Sequence, residues 1–373
     1  MRCLSLFAVS ALAASLAAGC AAPAEEETTP GAQEGELNAG PAREIGRGPA
    51  RDVVDLEVAA VALDRQGRAH IALLNDAYDL EVLVEQADGS LRRDVVDQSG
   101  QVGEHATIAL DDAGNEHIAY YDRTNNSVAV SRRGSDGRFV KDLVGPGSSP
   151  SIVVQGTTEH VAWSARSGTG DLVRYASRPA GGTWSAAVDV AASGGYPSLA
   201  VSAASVPSVA YDVEVSADAD EIRVATKDAS GFTSIVVDSG LRYSPPRIAL
   251  APTGEAHLAY SAVVRRNGPY TTTEVRHAKR DGAGAWSAPQ SVGIGDGYSV
   301  ALSVDRAGVV HIVSSGNSSD GIEEALGRPG QPFTAERTPY RGRRPSIDVD
   351  ANGKTALVYR SAYGSMFYYA RER

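Results

Sequence analysis

The chain has 373 residues, a formal net charge of −11, 42% hydrophobic residues and only two cysteines. An acidic balance of this size works against binding a phosphate backbone, which needs a basic surface, so nucleic acid is not an expected partner. Both cysteines, Cys3 and Cys20, stand at the extreme N-terminus; no disulfide, thiolate metal site or cofactor is expected in the remainder, whose stability must come from its own apolar core.

Residues 1–19 read as a lipoprotein-type signal peptide: Arg2 is followed by an apolar run from Leu4 to Leu16 that is short for a membrane span. The run ends in Leu16-Ala17-Ala18-Gly19-Cys20, which resembles a bacterial lipobox. That resemblance implies a lipid on Cys20, a membrane anchor made by the lipid alone and, with Ala21 following, sorting to the outer membrane. Leucine stands one place further from the cysteine than in most such motifs. Residues 20–49 are rich in Pro, Gly and acid and predict a flexible tether with a reach on the order of 30 Å.

Beyond the tether one phrase recurs seven times, an apolar strand, a turn and a second apolar strand. The second strands begin at His70, His117, His160, Ser208, His257, His311 and Ala356, at spacings of 47, 43, 48, 49, 54 and 45 residues. A period of this length means stacked supersecondary units. Before five of them lies a turn glycine (Gly67, Gly114, Gly254, Gly308, Gly353), several within Asp-x-x-Gly. Each unit divides into four short strands, and from the third onward an aromatic opens the fourth: Trp184, Phe232, Trp286, Phe333. Rings that recur in one frame predict packing between units rather than ligand stacking.

The last unit lacks a fourth strand. Ala50-Arg51-Asp52-Val53-Val54-Asp55 nearly copies Arg92-Arg93-Asp94-Val95-Val96-Asp97, the fourth strand of the first unit. Residues 50–373 therefore predict an all-β fold, a seven-bladed β-propeller of four-stranded antiparallel blades, its ring closed by an N-terminal strand at about residues 50–55 that completes the last blade.

The repeated turn and the His-Ile-Ala-Tyr phrase resemble the sialidase-like propellers with BNR or Asp-box repeats. The resemblance implies architecture and not a reaction. Ser303-Val304-Asp305-Arg306-Ala307-Gly308 is one residue longer than an Asp box and no aromatic follows it, and no Arg-Ile-Pro segment lies near the folded start. That family's catalytic residues do not carry over.

Five repeat histidines spread around a ring cannot converge on one metal, so they read as structural. Function is expected on the face whose loops vary. There the candidate ligand-binding residues are His105, Tyr196, Arg242, Tyr243, Tyr298, Tyr340, Arg343 and Arg344, since tyrosine rings stack on sugars and guanidinium forks grip carboxylates. Asp122 and Asp212 occupy comparable loops two blades apart, and no catalytic residue is assigned. The expectation is a monomeric, surface-tethered, non-catalytic propeller that binds a glycan or a protein. The alternative is a glycoside hydrolase such as a sialidase, or a polysaccharide lyase, on the same scaffold.

Overall fold

The computed structural model describes residues 40–372 apart from 50–58, 169, 180, 218, 242–243, 268–269, 283, 296, 298, 317–320 and 363. Each blade is built from four antiparallel strands, here lettered a to d from the channel outward. Five blades are separate four-stranded sheets, and a seven-stranded sheet holds the other two. Within it the single strand Thr334–Val349 serves twice: its first half pairs with Gly321–Gly327 as strand d of blade 6, its second with Thr355–Ser361 as strand a of blade 7. The seven-bladed ring is as the repeat predicts, and no described residue is helical.

The phrase His-Ile-Ala-Tyr explains the packing. Strand b is buried on both faces, and side chains alternate between them. In blade 2, Ile118 and Tyr120 pack with Ala72, Val82 and Val84 of blade 1, whereas Ala119 faces Ile152, Val161 and Trp163 of blade 3. A large pair therefore points back and a small alanine receives the next blade's large pair. The same division recurs at Val161 and Trp163 against Ala162, and at Leu258 and Tyr260 against Ala259. One apolar cluster fills each seam, including a seam in which Ile71 and Leu73 of blade 1 meet Val358, Phe367 and Tyr369 of blade 7. A linear solenoid would lack that seam. The aromatics at the start of strand d sit at the seams as expected, with Trp184, Phe232, Trp286 and Phe333 against four different clusters.

An N-terminal strand closes the ring, but its residues differ from those expected. Arg43–Arg47 pairs antiparallel with Met366–Arg371, Arg43 opposite Tyr369 and Arg47 opposite Met366. This strand lies inside the stretch read as tether, and residues 50–55 fall outside the described residues. Burial supplies the reason for the correction. Ile45 is 5% exposed within the cluster of Leu73, Leu74 and Phe367, and Arg43 lies 5.0 Å over the Tyr369 ring while donating to the Gly89 carbonyl at 2.6 Å. The likeness of residues 50–55 to strand d of blade 1 concerns a mostly exposed strand, in which only Val96 and Asp97 are buried and similarity carries little packing information. Just after the clasp, the Gly48 N–H donates to the Ser365 carbonyl at 2.7 Å, and a Cβ there would stand 2.8 Å from the Phe367 ring. Only glycine fits.

The face bearing the a–b turns is held by the repeat itself. Asp64, Asp111 and Asp350 each accept backbone N–H groups two and four residues on through Oδ1. Glycine follows at positive φ, 74° at Gly67 and 82° at Gly114. The repeat histidines are structural, as predicted. His70 Nδ1 lies 2.8 Å from Glu116 of blade 2, and Glu116 is also bound by Arg133. His117 lies 2.6 Å from Glu159 of blade 3, itself bound by Arg178. Glutamate directly before histidine thus links blade 2 to blade 1 and blade 3 to blade 2, whereas His160, His257 and His311 are held within their own blades by Tyr175, His277 and Glu324. Burial alone would raise the Glu116 carboxyl, but His70 and Arg133 outweigh it and hold it down at about 2.

Candidate functional site

The opposite face gathers the d-to-a and b-to-c connections. Strand a enters each blade here, and among the described residues it enters four blades through a bulge. The register slips between Glu104 and Thr107, Ser148 and Ser151, Gly195 and Ser198, and Arg343 and Ser346. Inside each slip one non-glycine residue adopts the left-handed region: His105 (φ 53°), Ser149 (φ 50°), Tyr196 (φ 47°) and Arg344 (φ 54°). Proline follows three of them, and proline pushes the preceding residue away from the right-handed helical region. A bulge re-aims a side chain. Four blades therefore set an imidazole, a hydroxyl, a phenol and a guanidinium at one structural level around the channel mouth.

Just beyond each bulge comes a hydroxyl that ties the ring together. Ser151 Oγ accepts the Leu199 N–H of the next blade at 3.0 Å, Ser198 Oγ that of Ile248 at 3.1 Å, and Ser346 Oγ that of Val61 at 3.2 Å. In blade 5 this position is Arg247, paired in register with Ala259 as Ser198 is with Ala210. Burial holds its guanidinium down to about 10, and Nη1 donates to the Pro246 carbonyl at 3.3 Å.

Burial and the positive charges of Arg344 and Arg123 lower the His105 imidazole to about 4, so it is neutral near pH 7. Arg123 is fixed by two hydrogen bonds to Glu104, at 3.0 and 2.7 Å, and lies 6.0 Å over the Tyr121 ring. The field around His105 is cationic although the whole chain is acidic. Tyr196 is 44% exposed, and its backbone N–H donates to Ser164 Oγ of blade 3 at 2.8 Å. A flat amphipathic ring is thereby presented to solvent on a pinned backbone.

The other expected site residues divide. Arg343 is exposed on this face, next to Arg344. Arg242, Tyr243 and Tyr298 lie outside the described residues. Tyr340 is corrected from rim to core: it is 9% exposed, its ring lies tilted against that of Tyr359 with centroids 5.7 Å apart, and its hydroxyl donates to the Gly40 carbonyl at 2.8 Å. Its place just before a channel-lining strand suggests a loop, whereas one strand runs unbroken through it.

The two loop carboxylates also part ways. Asp122 is fully buried and occupied, with Lys141 at 2.6 Å and both the backbone and side chain of Asn125 donating to it. Asp212 is different: its Oδ1 is buried and accepts no hydrogen bond, and burial followed by the like charges of Asp220 and Glu214 raises its carboxyl to about 7. Ser149, Arg247 and Asp212 were not singled out as site residues in the sequence. The recurring Pro-Ser-aliphatic phrase at 150–152, 197–199 and 345–347, altered to Pro-Arg-Ile at 246–248, is the signal that finds the first two. Among the described residues no cluster of His, Cys, Asp and Glu is arranged to hold a metal ion.

No family model matches the chain, and no curated protein does. Solved structures that it resembles include an ulvan lyase of polysaccharide lyase family 25 bound to -[GlcA(1-4)Rha3S]-, with a TM-score of 0.60 at 12% identity over 88% of this chain and 96% of that one. An α-L-arabinanase of Penicillium chrysogenum complexed with arabinobiose gives 0.52 at 10% identity, covering 90% and 98%. A lectin of Aleuria aurantia in complex with Fucα1-6GlcNAc gives 0.50 at 12%, covering 78% and 98%. At such identities the likeness establishes the propeller fold and no more.

Proposed function

We propose that the protein is a carbohydrate-binding propeller, exported and held at the bacterial cell envelope, in the outer membrane, by a lipid on Cys20, and that it takes a glycan at the channel mouth without turning it over. The observation that carries this reading is the set of left-handed bulges at His105, Ser149, Tyr196 and Arg344. A non-glycine residue in that region costs about 1–2 kcal/mol, and such strain collects at ligand sites. On the opposite face six of the seven a–b turns put glycine at the positive-φ position, blade 4 alone having Ser205. The mouth keeps side chains where glycine would be easier.

Their chemistry suits a sugar. Tyr196 offers a ring face for a pyranose, Ser149 exchanges hydroxyl hydrogen bonds, and Arg344, Arg123 and Arg247 favour a carboxylate or sulfate substituent. The lectin, lyase and arabinanase bound to sugars on the same fold support the class of ligand.

One observation favours a second reading, a polysaccharide lyase. The neutral His105 beside two guanidinium groups suits removal of the proton next to a uronate carboxylate, the arginines compensating the charge that develops. A hydrolase is less well supported, because Asp122 is already committed to Lys141 and does not pair with Asp212. A glycan array on the protein, followed by assays of the bound glycans for reducing ends and for unsaturated uronates, tests both. Binding without turnover is expected; unsaturated product moves the assignment to lyase, and no bound glycan removes the carbohydrate reading.

A further inference from the structure

Two of the seams between blades share a contact at the mouth, and the seam between blades 4 and 5 carries altered residues at both of its positions. Where blade 3 meets blade 4, Ser164 near the end of strand b accepts the N–H of the bulge residue Tyr196 at 2.8 Å. Where blade 6 meets blade 7, Ser315 in the same place accepts the N–H of the bulge residue Arg344 at 3.2 Å. The equivalence is set by register: Ser164 pairs with Ser148, Asp212 with Gly195 and Ser315 with Ser299, all at the mouth end of strands a and b. In blade 4 the acceptor is therefore Asp212.

Its expected donor is missing. Aligning Gly195-Tyr196-Pro197-Ser198 and Arg343-Arg344-Pro345-Ser346 with blade 5 gives Ser244-Pro245-Pro246-Arg247, so the bulge position is Pro245, which has no N–H. The acceptor has changed from hydroxyl to carboxyl at the seam where the donor has been removed. Asp212 Oδ1 is accordingly buried with no hydrogen-bond partner, a costly arrangement for an acceptor unless something else completes it. Two glycines let strand a pass close against this part of strand b. Gly195 faces Asp212 across the ladder, and Gly194 before it, at φ 122°, would bring a Cβ to 2.7 Å from both the Asp212 carbonyl and the Tyr211 ring. Tyr196, 44% exposed, is the next residue along the same strand.

We propose that Asp212 is a ligand-binding residue: a hydroxyl of the bound glycan donates to its carboxyl, filling the place that a backbone N–H fills in the seams of blades 3 and 6. This deepens the carbohydrate reading and rests on it. Among the described residues, the charges that act on Asp212 are Asp220 and Glu214, both on its own blade. Glu214 and Asp220 raise the carboxyl together with burial, so near pH 7 it is half ionised, and a donated hydroxyl favours the ionised form.

The test titrates the full chain by calorimetry with three sugars, the -[GlcA(1-4)Rha3S]- repeat, arabinobiose and Fucα1-6GlcNAc. Asp212→Asn and Asp212→Ser are run in parallel; serine is the residue the fold already accepts here in blades 3 and 6. Whichever sugar binds the wild-type protein is expected to bind both variants about tenfold more weakly. Wild-type affinity is expected to rise from about pH 6 to about pH 8 while Asp212→Asn stays flat. Pro245→Ala restores the N–H; it should bring the Asp212 carboxyl, followed by carbon-detected NMR, down from about 7 towards the ordinary carboxylate range and weaken sugar binding in step. Equal affinity of Asp212→Ser and wild type with a flat pH profile overturns the inference and leaves the carbohydrate reading intact. Failure of all three sugars to bind the wild-type chain defeats that reading and this inference with it.

Discussion

The two faces of the ring are made by the same strands and obey different rules. On the face of the a–b turns, the aspartate and glycine of the turn recur in blades 1, 2, 6 and 7, and histidine–glutamate–arginine links join blades 1 to 2 and 2 to 3. At the channel mouth the backbone recurs, as four bulges in one register position, while the side chains on it are all different. Regularity of residue marks what holds the ring together, and regularity of backbone with variety of residue marks what the ring presents.

The comparison is broken most severely by cutting the ring. A chain beginning at Gly40 retains the clasp strand and should unfold cooperatively like the full chain. One beginning at Pro49 leaves the edge of Met366–Arg371 unpaired and uncovers Phe367 and Tyr369, and should lose cooperative unfolding by calorimetry. Removing one link of the strict face comes next. Glu159→Ala strands His117 and the buried Arg178, and should cost about 3–5 kcal/mol in denaturant unfolding, with sugar binding unchanged in the protein that remains folded.

Acid should weaken the same face. Burial would raise Glu116, but its bonds to His70 and Arg133 hold it at about 2, below its unfolded value. Stability from this group is therefore fully present above about pH 4.5 and is lost as pH falls toward about 2. Asp64, Asp111 and Asp350 are likewise lowered, despite burial, by their turn hydrogen bonds, and add to the loss in the same direction. Melting temperature followed downward from neutral pH checks it.

The smallest effect on stability has the opposite sign, and it sharpens the contrast most. Tyr196→Gly removes an exposed ring from a left-handed position, so the variant should be equally stable or up to about 1 kcal/mol more stable while losing sugar binding. The same change at a repeat residue of the other face cannot do this.

Architecture was legible because packing repeats. The large–Ala–large pattern of strand b has to recur if each blade is to fit the next, so the period, the blade count and the structural role of the histidines all followed from residues such as Ile118, Ala119 and Tyr120. The clasp was misplaced because Ala50 to Asp55 copies a mostly exposed strand, whereas the closing strand is held by the single buried Ile45. At the mouth, the position of His105, Tyr196 and Arg344 before strand a was legible, whereas that of Tyr340 was not, because a continuous strand and a loop are both compatible with Pro339-Tyr340-Arg341. Asp212 was seen and left without a role. What distinguishes it is the missing N–H of Pro245 in the next blade, a relation between two units that neither shows alone.

The central claim, that the left-handed bulges form the sugar-binding surface, is tested most directly by calorimetric titration of a sugar bound by the wild-type chain into the triple variant His105→Gly, Tyr196→Gly, Arg344→Gly, with thermal unfolding measured on the same sample. The account predicts an unfolding transition within a few degrees of wild type and no measurable binding. Binding retained at wild-type affinity by a folded triple variant would contradict it.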